Sequence, residues 1–297
     1  MKKFRGTGVA LVTPFLENGA IDYPALERVI EHVIQGNVDY LVVQGTTGES
    51  ATLTESEKLE VLAFTKKVNR RRLPIVYGLG GNDTRAVLTA IDKIDFSEVD
   101  AVLSVSPYYN KPSQAGIIAH YQAIANRCPV PVILYNVPGR TMSNLRYETT
   151  LQLAQHRNII GIKEASGDMD QCMRIAKDKP DDFLLISGDD MSTTLMRSIG
   201  AEGVISVMAN AYPEILGAII HGNETYSKKG TFSLLEINPL MYEESNPVGV
   251  KCLMQLMGLC EDFVRLPLVR ASEDLKARIK TTAEQINTRL FYSPHLD

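Results

Sequence analysis

The sequence has no long apolar run and few cysteines. None of its apolar segments approaches the roughly 20 residues that a membrane helix needs, so we expect no membrane role. The basic start Met1–Gly8 lacks the apolar segment of a signal peptide. Only four residues are cysteine, and they are scattered without CxxC spacing. Such cysteines fit a reducing compartment, where they serve as small apolar residues, so we expect a cytoplasmic protein.

Clustered positive charge is also lacking. The 297 residues include 31 Lys and Arg against 35 Asp and Glu, a net charge of −4. Because binding to a phosphate backbone needs a clustered basic surface, nucleic acid is not an expected partner. The chain is 44 % hydrophobic and 22 % charged, which excludes an intrinsically disordered chain and a small disulfide scaffold. We therefore expect an ordinary globular protein.

Nucleotide and metal signatures are missing too. The stretch Gly78–Gly81 fails the GxGxxG pattern because Asp83 occupies the last glycine position, and no GxxxxGK[ST] motif occurs. HExxH motifs and close His/Cys clusters are lacking. These absences indicate no nucleotide site, and a catalytic metal has no evident ligands in the sequence. The histidines fall outside the candidate turns described below, and they are His32, His120, His156, His221 and His295.

Eight short apolar, β-branched runs recur along the chain, each followed by a turn and a segment with helical periodicity. The runs are Gly8–Pro14, Tyr40–Gly45, Ile75–Gly80, Ala101–Pro107, Val132–Pro138, Ile159–Lys163, Phe183–Gly188 and Val204–Met208. The predicted helix starts are Asp22, Thr54 with a capping box to Glu57, Asp83, Ser113 and Asp168.

This alternation predicts an α/β fold, namely a (β/α)₈ TIM barrel over residues 1–231. The runs are continuously apolar, as expected for parallel strands covered by helices. Eight units suit a barrel better than an open doubly wound sheet, which is the alternative. Strand signals stop at about Phe232. Residues 253–259 and 271–290 are predicted helices, which gives a C-terminal helical extension over 232–297.

Lys163 is the most unusual residue at the C-terminal ends of these strands, where barrel enzymes place their chemistry. It lies inside the apolar run IIGIKEA, and no other lysine has such a setting. A lysine kept partly out of water can act as an amine and attack a carbonyl, forming a Schiff base. The alternative is a strand-end lysine that reaches solvent and pairs with Glu164.

Tyr135 lies one strand earlier, near the same rim. Because no histidine occurs there, its hydroxyl is a candidate for passing protons to and from a lysine adduct. The alternative is a core aromatic with a satisfied hydroxyl.

Three further turns carry open alternatives. Gly45–Gly48 can turn N–H groups toward a carboxylate or phosphate, or it can be an ordinary Gly/Thr turn. Arg140 suits a bidentate carboxylate contact, although surface arginines are common. The Tyr108–Tyr109 pair belongs to an interface, supplies a hydroxyl to a site, or does both.

Six motifs in this order, GTTGES, SPYYNKPSQ, YNVPGRT, IIGIKEAS, SGDD and GVISV, resemble the pyruvate-dependent class I aldolase family over nearly the whole chain. The resemblance implies a carbon–carbon lyase that condenses pyruvate with L-aspartate 4-semialdehyde to 4-hydroxy-tetrahydrodipicolinate, the first committed step of diaminopimelate and lysine biosynthesis. Alternatives are N-acetylneuraminate lyase or another aldolase of this superfamily, and a non-catalytic barrel. Arginine after the YNVPG turn favours the synthase.

The resemblance implies four catalytic residues. Lys163 is similar to the Schiff-base lysine, and Tyr135 to a proton-transfer tyrosine that is hydrogen-bonded to Thr46. Tyr109 is similar to a third relay member, which in the family reaches into the site of a neighbouring subunit. A homotetramer built as a dimer of dimers is therefore the expected assembly.

The resemblance also implies the substrate contacts. Thr46 and Thr47 are similar to the donors that hold the pyruvate carboxylate, and Arg140 to the residue that receives the carboxylate of the aldehyde. Gly188 and Ile205 match backbone positions that line the pyruvate pocket. No metal or organic cofactor is implied.

One part of the chain departs from the family pattern. In lysine-sensitive relatives two histidines and a glutamate contribute to a lysine site, and here these positions are Glu55, Lys58 and Ala86. We therefore expect free lysine to inhibit weakly or not at all. The site positions that do match are Ser50, Ala51, Asn82 and Tyr108.

Overall fold

Eight strands close into a barrel in chain order in the computed structural model, which describes residues 2–291. The predicted (β/α)₈ barrel with a helical C-terminal part is thereby confirmed. The strands are β1 Gly6–Ala10, β2 Tyr40–Val43, β3 Ile75–Gly78, β4 Ala101–Val105, β5 Val132–Asn136, β6 Ile159–Glu164, β7 Leu184–Ser187 and β8 Gly203–Ser206.

Helices separate the strands and continue after β8. They are α1 Tyr23–Gln35, α2 Glu55–Asn69, α3 Thr84–Ile91, α4 Gln114–Arg127, α5 Pro138–Thr141, α6 Tyr147–Leu153, α7 Met169–Asp178, α8 Thr193–Ser198, α9 Pro213–His221, α10 Glu224–Leu234, α11 Val248–Leu256 and α12 Glu273–Ala283. In the part of the chain that the structure describes, no helix is long and apolar enough to cross a membrane.

The five predicted helix starts are confirmed, because each proposed cap accepts a hydrogen bond from a backbone N–H two or three residues ahead. The Thr54 cap is reciprocal, since the Glu57 side chain accepts from the Thr54 N–H. The pairs are Asp22 with Ala25, Thr54 with Glu57, Asp83 with Arg85, Ser113 with Gly116 and Asp168 with Gln171.

The first strand differs from its prediction. It spans Gly6–Ala10 instead of Gly8–Pro14. The apolar run continues past Ala10, but the Val12 N–H donates to the Asn210 side chain at 3.2 Å, so the backbone has left the strand ladder there. The end of β1 therefore depends on Asn210, which is 198 residues from Val12 in the sequence.

The C-terminal helices are also placed differently. The predicted helix 253–259 is α11, which begins five residues earlier and ends at Leu256. The predicted helix 271–290 is shorter, because Ser272 caps α12 and the helix ends at Ala283. A separate 3₁₀ turn follows at Thr288–Phe291.

The described residues form two compact units. The first unit is residues 2–5 with Pro74–Ile205, and the second unit is Gly6–Leu73 with residues 206–291. The division into a barrel over 1–231 and an extension over 232–297 stays a prediction. Residues 292–297, which include His295, lie outside the described residues.

In the first unit, alternate strand residues pack against the helices. Leu134, Ile162 and Leu185 belong to a buried apolar cluster that includes Ile117 and Ile175 of the surrounding helices. Because successive side chains of a strand point to opposite faces, Tyr135 and Lys163 lie on the face away from this cluster.

The four cysteines are buried and free, as predicted for small apolar residues. Cys128 and Cys172 lie in the first unit, and Cys252 and Cys260 lie in the second. Burial raises the pKa of the Cys172 thiol to about 12 and that of Cys252 to about 11.

Candidate active site

Lys163 and Tyr135 contact each other at the ends of two adjacent strands. They are direct partners in the parallel register of β5 and β6. The Lys163 Nζ lies 4.4 Å from the centroid of the Tyr135 ring, and the two residues are only 6 % and 7 % exposed. The structure therefore brings together the two residues on which the predicted chemistry depends.

The alternative interpretation of Lys163, in which it reaches solvent and pairs with Glu164, is wrong. Lys163 is buried, and Glu164 is the next residue along a strand, so its side chain lies on the opposite face. The Glu164 carboxylate accepts from Asn136 Nδ2 at 3.0 Å and from Gln171 Nε2 at 2.9 Å. Within residues 2–291 no carboxylate lies within ion-pair distance of the Lys163 amine.

This polar network behind the lysine was not predicted from the sequence. Asn136 also donates to Asn144 and accepts from the Leu145 N–H at 2.9 Å. Glu164 is 1 % exposed, and burial raises the pKa of its carboxyl against the opposing effect of its amide donors. Asn136 follows Tyr135, and Glu164 follows Lys163. Because side chains alternate along parallel strands, this spacing could have predicted that Asn136 and Glu164 meet on the opposite face.

The alternative interpretation of Tyr135 was a core aromatic residue with a hydrogen-bonded hydroxyl. Tyr121, not Tyr135, has these properties. Tyr121 is fully buried, and its hydroxyl donates to the Ser104 carbonyl at 2.9 Å. The described part of the first unit contains no hydrogen-bond partner for the Tyr135 hydroxyl. This hydroxyl is therefore available to a ligand that reaches the lysine.

Arg140 and Tyr109 lie on loops that follow two strands. Arg140 is exposed in the short helix α5 after β5, and the described residues give its guanidinium no ion pair. Tyr109 follows β4, has a positive φ of 72° and is 87 % exposed. Its neighbour Tyr108 is 42 % exposed. Both tyrosines present apolar surface that a second protein chain could cover.

Gly188 and Ile205 lie at the ends of β7 and β8. The Gly188 N–H donates to the Glu164 carbonyl at 2.8 Å. A Cβ at Gly188 would lie 2.6 Å from the Ala165 Cβ, so glycine is required for this close approach of the two chain segments. Ile205 is 1 % exposed.

Thr46 and Thr47 lie in the second unit, in a 3₁₀ turn after β2. Thr47 is 2 % exposed, and its Oγ1 accepts from Asn246 Nδ2 at 3.0 Å. Within residues 2–291 the Thr47 hydroxyl donates no hydrogen bond, so its proton can be donated to a ligand. The contact with Asn246, which lies 199 residues from Thr47 in the sequence, was not predicted.

The expectation that no other lysine shares the setting of Lys163 is wrong. Lys251 lies in α11 with its side chain 0 % exposed. Its Nζ donates to Glu49 Oε1 at 2.5 Å and to the Phe263 carbonyl at 2.9 Å. Burial lowers the pKa of Lys251, and Glu49 opposes this shift. The burial of Lys251 could have been predicted from the run VGVKCLM, which is as apolar as the run around Lys163.

Comparison with known proteins yields a family match and close relatives. Residues 3–286 match the model of the dihydrodipicolinate synthetase family. The 4-hydroxy-tetrahydrodipicolinate synthase of Cytophaga hutchinsonii is 50 % identical over 97 % of this chain and all of that protein. That of Flavobacterium psychrophilum is 48 % identical with the same coverage.

Solved structures show the same similarity. The dihydrodipicolinate synthase of Thermotoga maritima superposes with a TM-score of 0.93 at 35 % identity, over 96 % of this chain and 99 % of that one. A dihydrodipicolinate synthase variant described as the first monomeric one has a TM-score of 0.92 at 36 % identity, over 95 % of this chain and 97 % of that one.

Proposed function

The chain belongs to the dihydrodipicolinate synthetase family, and from that premise we propose that Lys163 is the nucleophile of its reaction. The chain is a carbon–carbon lyase that condenses pyruvate with L-aspartate 4-semialdehyde to 4-hydroxy-tetrahydrodipicolinate, the first committed step of diaminopimelate and lysine biosynthesis. The observation that carries the assignment of Lys163 is its burial beside Tyr135 without a carboxylate partner in the described residues.

The reaction begins when the neutral Lys163 amine attacks the ketone of pyruvate. Water leaves to give the imine, and loss of a methyl proton gives an enamine, with the imine nitrogen as the electron sink. The enamine carbon then attacks the aldehyde, and hydrolysis frees Lys163. The released adduct closes to the heterocycle through its own amine. Tyr135 carries protons during these steps. The support is its hydroxyl, which has no hydrogen-bond partner among the described residues of the first unit.

Thr46 and Thr47 bind the pyruvate carboxylate. The support is the Thr47 hydroxyl, whose oxygen accepts from Asn246 and whose proton is left for a ligand. The backbone at Gly188 and Ile205 lines the pyruvate pocket. A Cβ at Gly188 would collide with Ala165, so a larger residue there would move the end of β7.

Arg140 receives the carboxylate of the aldehyde substrate. Its exposed guanidinium has no ion pair within residues 2–291, and its planar fork suits a carboxylate better than a point charge does. N-acetylneuraminate lyase, the alternative from the sequence, is disfavoured because the relatives with about half of their residues identical are synthases.

Tyr109 completes the relay in the site of a neighbouring subunit, within a cytoplasmic homotetramer built as a dimer of dimers. Its high exposure and the adjacent Tyr108 support a role at an interface. Mixing inactive Tyr109→Phe and Lys163→Ala proteins under subunit exchange should restore some activity. No recovery despite demonstrated exchange would assign Tyr109 to its own subunit.

The nucleophile is tested by incubating the protein with pyruvate and borohydride, followed by peptide mass mapping. Reduction should fix a pyruvyl group on Lys163 and inactivate the enzyme. Protein treated with borohydride alone is the control. Labelling at another residue, or no labelling, would overturn the Schiff-base assignment. The same treatment of Lys163→Met should leave the protein unlabelled.

A further inference from the structure

Lys251 and Glu49 form a buried ion pair that the proposed reaction does not use. Both side chains are almost completely buried, 0 % and 2 % exposed. The Lys251 ammonium donates to Glu49 and to the Phe263 carbonyl, and it lies 4.2 Å from the centroid of the Phe15 ring. The ammonium therefore has a carboxylate, a carbonyl and an aromatic ring as favourable neighbours, as a buried charge requires.

Glu49 connects this pair to the turn that carries the two threonines. It ends the 3₁₀ turn Thr46–Gly48 in the left-handed conformation, with φ 52°. Its N–H donates to the Thr46 carbonyl at 3.0 Å. Its second carboxylate oxygen accepts from the Arg265 N–H at 3.0 Å. A non-glycine residue in this conformation persists only when its surroundings hold it, and the contacts of the carboxylate supply that restraint.

The same turn is held from two other sides. Thr13 Oγ1 donates to the Gly48 carbonyl at 2.7 Å, and Asn246 donates to the Thr47 hydroxyl. Asn246 and Lys251 are only five positions apart, in the segment that leads into and through α11. One segment thus fixes both the Thr47 hydroxyl and the residue that ends its turn.

We propose that Lys251 is a positioning residue for pyruvate, which acts through Glu49 to hold the Thr46–Gly48 turn in its binding geometry. This inference rests on the proposed binding of the pyruvate carboxylate by Thr46 and Thr47. Without the Lys251 charge, the Arg265 N–H is the one hydrogen-bond donor that residues 2–291 leave to the buried Glu49 carboxylate. The carboxylate is then more stable when it turns toward water. The turn then relaxes, and the threonine donors lose their alignment with the carboxylate.

The test is a pyruvate titration of borohydride trapping at Lys163, with steady-state kinetics in parallel. In Lys251→Met we expect the half-saturating pyruvate concentration and the KM for pyruvate to rise roughly tenfold or more, the usual sensitivity to misplaced binding groups. The KM for the semialdehyde should change less than about twofold. A merely structural role would lower the amount of active protein without separating the two KM values.

A matched control is Asp262→Asn, which removes a buried charge from the same C-terminal region. Asp262 is 2 % exposed and pairs with Arg270 at 2.7 Å, and within residues 2–291 it makes no hydrogen bond or ion pair with the Thr46–Gly48 turn or Glu49. This variant should lose thermal stability and keep the pyruvate half-saturation of the wild type. An equal rise in Asp262→Asn and Lys251→Met would overturn the proposal, since general destabilisation would then explain both.

The double variant Lys251→Met/Glu49→Gln removes both charges and should bind pyruvate better than the single variant, though less well than the wild type. If Lys251→Met does not fold, the double variant decides, and an unchanged half-saturation there would contradict the proposal. Failure of the proposed function looks different, because the wild type would then not be trapped at Lys163 at all. Wild-type trapping with an unchanged titration in a folded Lys251→Met contradicts this inference alone.

Discussion

The two buried lysines of this chain differ chiefly in whether a carboxylate accompanies them. Lys163 and Lys251 both lie over an aromatic ring, 4.4 Å from Tyr135 and 4.2 Å from Phe15. Lys251 also has Glu49 at 2.5 Å, whereas the described residues give Lys163 no such partner. Removing one partner of a buried ion pair leaves the other charge uncompensated, whereas removing Lys163 leaves no such charge behind.

The largest expected effects follow from removing either amine. Lys163→Met should abolish nearly all activity and change the free energy of unfolding by less than about 1 kcal/mol, because no ion pair is broken. Lys251→Met should lower the free energy of unfolding by about 3–5 kcal/mol, because Glu49 is left buried and unpaired. Urea unfolding and activity assays measure both quantities. Equal stability losses in the two variants would contradict the proposed difference between the two lysines.

Tyr135→Phe tests whether the ring or the hydroxyl beside Lys163 matters. The substitution keeps the ring near the amine and removes the proton carrier, so kcat should fall roughly 10²–10⁴-fold. Tyr121→Phe is the control, because it removes a hydroxyl that donates to the Ser104 carbonyl. The control should cost about 1 kcal/mol of stability and lower kcat far less than Tyr135→Phe does, because it keeps the Tyr135 hydroxyl. Full activity of Tyr135→Phe would remove Tyr135 from the mechanism.

Arg140 differs from both lysines because it is exposed, and like Lys163 it has no carboxylate partner in the described residues. Arg140→Ala should raise the KM for the semialdehyde roughly tenfold or more, through loss of a charge-assisted contact, and should raise that for pyruvate far less. Arg140→Lys should recover part of the loss, because it restores the charge without the planar fork. If both KM values moved together, Arg140 would not be specific for the aldehyde.

The ion pair between Glu57 and Arg265 is more exposed than the pair of Lys251 and Glu49, and its contribution to stability depends on pH. The Arg265 guanidinium lowers the pKa of the Glu57 carboxyl to about 2. Since the folded-state pKa is below the unfolded one, this pair stabilises the protein above pH 4.5, and the contribution is lost as the pH falls toward 2. Glu57→Gln should therefore lose stability at neutral pH and show a weaker acid dependence. Parallel pH profiles of the two proteins would contradict this.

The smallest expected effect concerns free lysine as an inhibitor. Lys58 is half-buried, and burial lowers its pKa while Glu55 opposes the shift. A ligand ammonium meets this added cation and lacks the carboxylate replaced by Ala86, so a charge-assisted contact worth about 1.5–3 kcal/mol is missing. Affinity should fall roughly tenfold or more relative to lysine-sensitive relatives. Half-inhibition at sub-millimolar lysine, titrated at fixed pyruvate, would show that Glu55 replaces the lost carboxylate.

Local patterns predicted what local interactions decide. The eight strands and five capped helix starts follow from apolar runs and from side chains that bond to their own turns, as Asp22 and Ser113 do. The contact between Tyr135 and Lys163 was foreseeable, since neighbouring parallel strands end at the same rim. The role of each residue, however, came from the resemblance to a family and not from these patterns.

Contacts between distant parts of the chain were not predictable in this way. The Lys251 amine and the Glu49 carboxylate are 202 residues apart in the sequence. The Val12 N–H, just after β1, donates to the side chain of Asn210, which is 198 residues away. Nothing in the residues around either position identifies the partner. The apolar run around Lys251 could have marked that lysine as buried, but it could not have identified Glu49 as its partner.

The buried cysteines make the two units separately observable. Each unit contains two thiols, and burial raises the pKa of Cys172 and of Cys260 to about 12. Because alkylation needs an exposed thiolate, each pair reacts only when its own unit opens. Timed alkylation followed by peptide mapping would therefore report the opening rate around each pair of cysteines in one unlabelled protein, without any engineered probe.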